Sequence, residues 1–360
     1  MEIKVRRQYR EVRVDNVIIG GNSPVTIQSM TNIPFDRYEA LENQAFALQK
    51  AGCEILRVSV PDEMSAEGFK KLKNKLDIPL VADIHFNYKL ALASIDAGAD
   101  KIRINPGNIG TDNIKSVVRK AVENHVPIRV GINSGSLEKE ILSKYGSPTA
   151  EALAESAMKN VKIVEECGCE DIVVSIKSSN VNLMVDTYRI FDQMNENRYP
   201  LHLGVTEAGT LTSGLIKNSV GIGSLLLDGI GSTIRYSLSA DPIEEIYAAN
   251  KLLRFLGLRN SGVEIVSCPT CGRTTVNTIE LANKLESSLR YIKKPIKIAV
   301  MGCVVNGIGE AAESDFGVTG ANGKYLLFKK VDGEVKIIDR DISEADIFER
   351  INNYIKEVLL

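Results

Sequence analysis

Outside one segment the chain is poor in metal-ligating residues. Its three histidines, His85, His125 and His202, lie in distant stretches and make no metal motif, and no cysteine follows Cys303. A closed structural zinc site needs four Cys or His ligands. The segment holding Cys268, Cys271 and Cys303 is therefore one ligand short of such a site. An excess of charge of one sign is also lacking. The net charge is −2 and the basic residues are scattered, which excludes a nucleic-acid groove or a basic membrane-binding face. No apolar run is long enough to span a bilayer, and the charged stretch from Met1 to Arg10 has no apolar core. The expectation is a soluble, cytoplasmic protein with no nucleic-acid and no membrane partner. There is no low-complexity tract and no repeat finer than a strand–helix unit.

That unit recurs. From Val25 to Leu238, short β-branched runs alternate with amphipathic stretches. Expected strands are 26–30, 55–60, 80–85, 101–105, 128–132, 172–177, 201–206 and 233–238. Amphipathic segments between them, such as 38–51, 88–97, 113–124 and 149–167, end in Gly or a polar turn, as helix C-caps do. Eight such units match a closed (α/β)₈ TIM barrel in count and length; a doubly wound open sheet is the competing arrangement. Before the first strand, residues 10–21 read as a hairpin turning at Asp15-Asn16, placed to plug the barrel bottom. After a helix opened by Asp241-Pro242, Gly257 to Gly262 forms a short boundary. The expected division is a substrate-binding barrel over 1–258 and a smaller α+β module over 259–360. The module's strands are expected at 264–267, 296–301, 325–330 and 334–338, with helices near 275–288 and 343–358. Cys53, Cys167 and Cys169 fall in helix-to-strand turns and read as small, partly buried free thiols.

Several barrel strands carry polar residues at one parity and apolar residues at the other. Arg57 and Ser59, Asp83 and His85, Arg103 and Asn105, Arg129 and Asn133, Ser175 and Lys177, and Arg235 and Ser237 share the polar parity. Helices cover the apolar parity, so the polar one points inward and gathers at the carboxyl ends of the strands, where barrel sites are built. Five cations, Arg57, Arg103, Arg129, Lys177 and Arg235, cannot stay unpaired in one mouth. Asp83 and Glu207 offset only part of that charge. Either internal ion pairs complete the neutralisation or the ligand is strongly anionic, and arginine is the preferred bidentate partner of phosphate. The turns 105–108 and 133–136 add backbone N–H groups. His85 reads either as a side chain oriented by its neighbours or as a substrate contact. Glu207 reads as a charge-balancing carboxylate or an acid–base group.

The C-terminal cysteines allow three readings. Cys268-Pro-Thr-Cys271-Gly is half of a zinc ribbon, a dithiol redox pair, or part of an iron–sulfur site. Ligand count and softness favour the last: three thiolates without a fourth leave one iron accessible. Glu310, the nearest carboxylate on the Cys303 loop, is a hard, exchangeable candidate for that iron.

The motifs Gln28-Ser-Met-Thr-Asn32, Arg103-Ile-Asn-Pro-Gly-Asn108, Arg129-Val-Gly-Ile-Asn133, Ser175-Ile-Lys177-Ser-Ser179, Gly204-Val-Thr-Glu207-Ala-Gly209, Cys268-Pro-Thr-Cys271-Gly-Arg273 and Gly302-Cys303-Val-Val-Asn-Gly-Ile-Gly-Glu310 span essentially the whole chain. Together they resemble the bacterial 4-hydroxy-3-methylbut-2-enyl diphosphate synthases of the methylerythritol phosphate route to isoprenoids. The resemblance implies a [4Fe–4S] cluster held by Cys268, Cys271, Cys303 and Glu310. It implies reductive ring opening and dehydration of 2-C-methyl-D-erythritol 2,4-cyclodiphosphate, with two electrons from ferredoxin or flavodoxin. Arg57, Arg103, Arg129, Asn133, Lys177, Arg235 and Ser237 would bind the diphosphate, with Asp83, His85 and Asn105 in the same mouth and Glu207 near the reacting carbons. A homodimer is implied, the barrel of one subunit capped by the cluster module of the other. The family form with a large inserted domain is excluded, because Leu256 to Val263 leaves no room for one. Two other classes remain open at this point. One is a non-redox sugar-phosphate barrel with an appended zinc module; the other is a non-catalytic electron carrier, against which the arginines count.

Overall fold

The computed structural model describes residues 5–305 and 313–359. The chain forms two compact units, one ending at Arg259 and the other beginning at Asn260. In the first, strands β1 (Val12–Val14) and β2 (Val17–Ile19) form an antiparallel hairpin with Val14 opposite Val17. Asp15, at φ 53°, supplies the left-handed turn conformation that a short acidic side chain tolerates. The alternation puts Val12, Val14 and Ile19 on one face, packed against Ile55, Val81 and Val173 near the amino ends of barrel strands. The hairpin thus plugs the barrel floor.

Eight parallel strands follow: β3 (Thr26–Met30), β4 (Ile55–Ser59), β5 (Leu80–Asp83), β6 (Lys101–Ile104), β7 (Ile128–Asn133), β8 (Ile172–Lys177), β9 (His202–Leu203) and β10 (Thr233–Ile234). Each of β3 to β7 pairs with the next, and β3 also pairs with β10 and β10 with β9. A parallel bridge between Val174 and Leu201, with the Val174 N–H donating to Pro200 O at 3.0 Å, joins β8 to β9. The sheet is closed, and the open-sheet alternative falls. The last two strands are shorter than their β-branched runs predict. Beyond Leu203 the backbone leaves the ladder through Gly204 and crosses to β8, where the Thr206 N–H reaches Ser178 O at 3.3 Å.

Outward residues such as Leu56, Val58, Ile102, Ile104, Val130 and Val174 are buried against helices in one continuous core. These helices include α1 (Tyr38–Ala51), α2 (Glu63–Lys73), α3 (Tyr88–Asp96), α4 (Pro106–Ile109), α5 (Thr111–Glu123), α6 (Lys139–Tyr145), α7 (Ala150–Glu166), α8 (Val181–Asn195), α9 (Leu211–Leu227) and α10 (Pro242–Phe255). Local chemistry sets their starts. Asp62, Thr149, Asn180 and Asp241 each accept a backbone N–H from the first turn of the following helix, and Pro242 stands where a missing N–H is harmless. Phe69 on α2 is fully buried, and truncating it to Ala would cost about 3–5 kcal/mol.

The second unit is a five-stranded sheet in the order β11 (Val263–Ser267), β12 (Ile296–Met301), β13 (Phe316–Ala321), β14 (Lys324–Val331) and β15 (Glu334–Ile342). The first three strands run parallel and the last three antiparallel. Helices α11 (Thr278–Ser288) and α12 (Glu344–Leu359) contribute Leu281, Leu285, Ile347 and Ile351 to its core. Central strand β13 is not evident from sequence, because its two glycines weaken the strand pattern that Phe316 and Val318 begin. Among the described residues no helix is long and apolar enough to cross a membrane.

Candidate active site

The barrel register lines up the inward polar residues. Asp83, Arg103 and Arg129 are direct neighbours across β5, β6 and β7, and Asn133 stands opposite Lys177 across β7 and β8. Asp83 is the anchor of this row. Its carboxylate lies 3.3 Å from Arg103 Nη1 and 3.7 Å from Arg57 Nε. Burial alone would push that carboxyl up, but Arg57, the His85 hydrogen bond, Arg103 and Arg129 together hold it well below the usual carboxylate range. Asp83 is therefore an ion-pair hub that orients two guanidinium groups. His85, half exposed at the mouth, places Nε2 3.5 Å from Asp83 Oδ2, and its ring nitrogens lie 3.2 Å from Arg103 Nη1.

Two structural details fix the arginines further. Arg57 also donates to Met30 Sδ at 2.9 and 3.2 Å, a weak neutral acceptor that adds no counter-charge to the one Asp83 provides. Arg103 lies across β7 at Gly131, where a Cβ would come within 2.7 Å of its Nε. Any larger residue there would displace the guanidinium.

Arg129 and Lys177 are placed differently. Arg129 is 1% exposed, and its Nε and Nη1 have no hydrogen-bond partner among the described residues. Burial and repulsion from Arg57 and Arg103 lower its pKa well below the ordinary value, Asp83 opposing. Burial also lowers Lys177, with Arg57, Arg235, Arg129 and Arg103 adding to the shift. Arg57, lowered to about 10 chiefly by burial, remains a cation at neutral pH. The pairing question raised by the sequence thus has a divided answer: part of the mouth is neutralised internally, and part is not.

Arg235 belongs to the neutralised part. It makes a two-point contact with Glu245 on α10, at 3.2 and 3.0 Å, and donates to Ser237 Oγ at 3.1 Å. Glu245 is 2% exposed and also accepts from Ser29 Oγ and the Leu238 N–H. A crevice of ≈ 580 Å³ opens beside this pair, with Met30, Ile33, Phe35, Val58 and Leu238 in its walls. Glu207 follows β9 at φ 50° and is exposed. A non-glycine residue in that conformation is strained, and this one turns at the rim of the mouth. Asn105 is buried, and Asn133 is half-buried at the end of β7.

Sequence reading missed four contributors: Glu245, Met30, Lys101 and His202. Lys101 and Met30 share the inward parity of Arg103 and Gln28, so the strand alternation could have found them. Nothing local separates Glu245 from its neighbour Glu244.

In the second unit, Ser267 pairs with Val300, which brings the Cys268 and Cys303 loops out at adjacent strand ends. The Gly302 N–H donates to Cys268 Sγ at 3.2 Å, and the Thr275 N–H donates to Gly302 O at 3.0 Å. Between them the Cys271 N–H donates to Thr274 Oγ1 at 3.1 Å, and Thr270 turns at φ 63°. Cys271 is exposed, and Cys268 and Cys303 are half-buried, whereas Cys53 and Cys169 are buried and free. Among the described residues no three metal-ligating side chains are drawn into one coordination sphere, and Glu310 lies outside those residues. The donor set nevertheless fits a soft, sulfur-ligated group: three accessible thiols on two stitched loops, one sulfur already accepting an N–H as cluster thiolates do. All three histidines belong to the first unit, so this unit offers no histidine to complete a zinc tetrahedron.

A closed parallel barrel with buried, unneutralised cations at its mouth, followed in the chain by a cysteine-bearing sheet module, defines a two-module barrel protein for an anionic ligand. The model of the GcpE TIM-barrel domain matches residues 9–250, and that of the GcpE protein C-terminal domain matches residues 264–357. The chain belongs to the GcpE family. Among its relatives, the 4-hydroxy-3-methylbut-2-en-1-yl diphosphate synthase (flavodoxin) of Caldanaerobacter subterraneus subsp. tengcongensis is 51% identical over 357 residues, 99% of each chain. The protein of the same name from Clostridium perfringens is 50% identical over 354 residues, 98% of this chain and 99% of that one. Solved dihydropteroate synthases share the barrel fold. That of Stenotrophomonas maltophilia has a TM-score of 0.52 at 11% identity, covering 69% of this chain and 97% of its own. That of Yersinia pestis has 0.51 at 10%, covering 69% and 100%.

Proposed function

We propose that this chain converts 2-C-methyl-D-erythritol 2,4-cyclodiphosphate to 4-hydroxy-3-methylbut-2-enyl diphosphate, a reductive step of isoprenoid biosynthesis. The observation that carries this reading is the pair of buried basic residues, Arg129 and Lys177, for which the described residues of the barrel supply no carboxylate partner. A doubly anionic cyclic diphosphate supplies the missing charge. Comparing the two molecules fixes the bond changes. In the substrate's numbering the product keeps its diphosphate on carbon 4, so the bond from carbon 2 to its phosphate oxygen breaks and the ring opens. The hydroxyl on carbon 3 leaves as water, and a carbon 2–carbon 3 double bond forms. Two electrons and one proton must enter for this to balance, the proton going to the departing hydroxyl.

Arg57, Arg103, Arg129, Lys177, Asn133, Arg235 and Ser237 grip the diphosphate. Asp83 holds Arg57 and Arg103 in place and aligns His85 at the rim, beside Asn105. The substrate thereby meets donors already oriented, which is how an electrostatic site lowers a barrier without reorganising. Glu207, on its strained turn, faces the reacting carbons and serves as the acid–base group for the departing hydroxyl. Cys268, Cys271, Cys303 and Glu310 would hold a [4Fe–4S] cluster, which when bound supplies the electrons one at a time. Flavodoxin or ferredoxin is the donor, the location is cytoplasmic, and the working unit is a homodimer whose active site is shared between subunits. The barrel and the cluster module divide over 1–258 and 259–360.

The test is anaerobic purification with iron and sulfide analysis, followed by turnover of the cyclic diphosphate with reduced flavodoxin. About four irons and four sulfides per chain and formation of the allylic diphosphate are expected. Zinc in place of iron, or a cluster-loaded protein that leaves the substrate intact, would overturn the reading.

A further inference from the structure

Below the cations of the mouth, the barrel carries a second polar tier that the proposed chemistry does not use. Lys101 and His202 are fully buried, and Lys101 Nζ and both His202 ring nitrogens have no hydrogen-bond partner among the described residues. The same holds for the Gln28 amide and the Thr26 and Thr233 hydroxyls. Thr26, Thr233 and His202 stand side by side across β3, β10 and β9. Lys101 lies two residues below Arg103 on the same face of β6, beside Val81 of β5. Val81 also belongs to the apolar plug, with Ile55, Val173 and the hairpin valines.

Charge in this tier has one sign. Lys101 feels Arg57 from β4 and Arg129 from β7, and His202 on β9 feels Lys101, Lys177 of β8 and both arginines. Strands β3 and β10 bring Gln28 and the two threonines, which are neutral, and the plug brings only valine and isoleucine. Asp83 is committed one tier higher. Burial pushes the Lys101 ammonium well below its ordinary pKa, and Arg129 and Arg57 push it further. A buried lysine so placed sheds its proton rather than carry an unpaired charge.

We propose that Lys101 is a further substrate-positioning residue, uncharged in the free protein and protonated as the cyclic diphosphate binds. The inference rests on the substrate reading above and adds to it. A dianion held at Arg129 and Lys177 reverses the local field, so the ammonium form of Lys101 becomes the favoured one. One proton moves from solvent to Nζ, and no bond of the ligand changes. The ligand itself does not titrate near neutrality, since each phosphorus of a cyclic diphosphate bears a single, strongly acidic hydroxyl. Any proton taken up on binding therefore belongs to the protein.

The experiment is titration calorimetry of the full, cluster-loaded chain with the cyclic diphosphate, without reductant, in paired buffers of different ionisation enthalpy from about pH 6.5 to about pH 9.5. Wild type should take up more protons than Lys101→Met, by at least about half a proton per ligand somewhere in that range. Wild-type affinity should rise as pH falls through the same window, more steeply than that of the variant. Lys101→Arg, permanently charged, should bind without that extra uptake. Lys101→Gln replaces Lys101→Met if the latter does not fold, and zero uptake by wild type at every pH overturns the proposal by itself. Equal proton counts in wild type and variant would overturn this inference alone. Failure of wild type to bind the ligand would overturn the substrate reading as well.

Discussion

Replacing Arg129 and Arg235 separately by methionine distinguishes a cation left for the ligand alone from one that also holds the fold. Methionine keeps most of the bulk and removes the charge. Arg129 touches no carboxylate that depends on it: Asp83 keeps Arg103 at 3.3 Å and Arg57 at 3.7 Å after its loss. Relief of repulsion on Arg57, Arg103 and Lys177 offsets the lost packing, so the barrel should unfold at the wild-type temperature or slightly above it. What disappears is a charge-assisted contact to the diphosphate, on the order of 1.5–3 kcal/mol, or roughly ten- to 150-fold in Kd. Arg235→Met does the reverse to the fold. It strands Glu245, which is 2% exposed and loses both of its guanidinium contacts, at a cost of about 3–5 kcal/mol. For a unit of this size that lowers the melting temperature by roughly 6–20 °C. Thermal unfolding beside calorimetric titration with the cyclic diphosphate reads both quantities. A large drop in melting temperature for Arg129→Met with unchanged affinity would show that the mouth is scaffolding.

Three further outcomes follow from the same arrangement. Lys101→Met should be more stable than wild type without ligand at neutral pH. The folded pKa of Lys101 is lowered, so its penalty is present below the unfolded value and vanishes as pH rises through about 10.4; an advantage that grows with pH in urea titrations would contradict this sign. Cys268→Ser, Cys271→Ser or Cys303→Ser should each lose most iron and cluster absorbance while the barrel melts unchanged, since the barrel has its own core; full iron content in an active Cys303→Ser protein would remove that ligand. Glu310→Ala should retain much of the iron but lose turnover or oxygen tolerance, because a carboxylate is the exchangeable ligand, and wild-type kinetics would take Glu310 out of the site.

The barrel was legible in the sequence because two periodicities coincide there: alternation along each strand and the eightfold recurrence of strand and helix. The same alternation exposed Arg57, Asp83, Arg103, Arg129 and Lys177 as inward residues. The Arg235–Glu245 pair was not legible, since Glu245 reaches its partner from a helix and period-two reasoning does not extend to helices. His202 was read as one scattered histidine although it falls in the expected strand 201–206, because Gly204 and Thr206 at the same parity carry no charge to mark an inward face. Charge could be counted from sequence, but its distribution could not. Which cations share Asp83 depends on tenths of an ångström between neighbouring strands. Strand β13 escaped for a local reason, as two glycines in six residues hide an interior strand.

The hairpin plug also bears on the order of assembly. Val12 and Val14 are synthesised well before β5 and β8, yet their packing partners Val81 and Val173 lie on those strands. Two short strands joined by a turn are marginal alone in water, so the valines have no stable resting place until the distant strands exist. Contacts so far apart in sequence make closure of the floor a late, slow event. Until it occurs, the lower end of the barrel exposes Ile55, Val81 and Val173, the surface on which a chaperone would act.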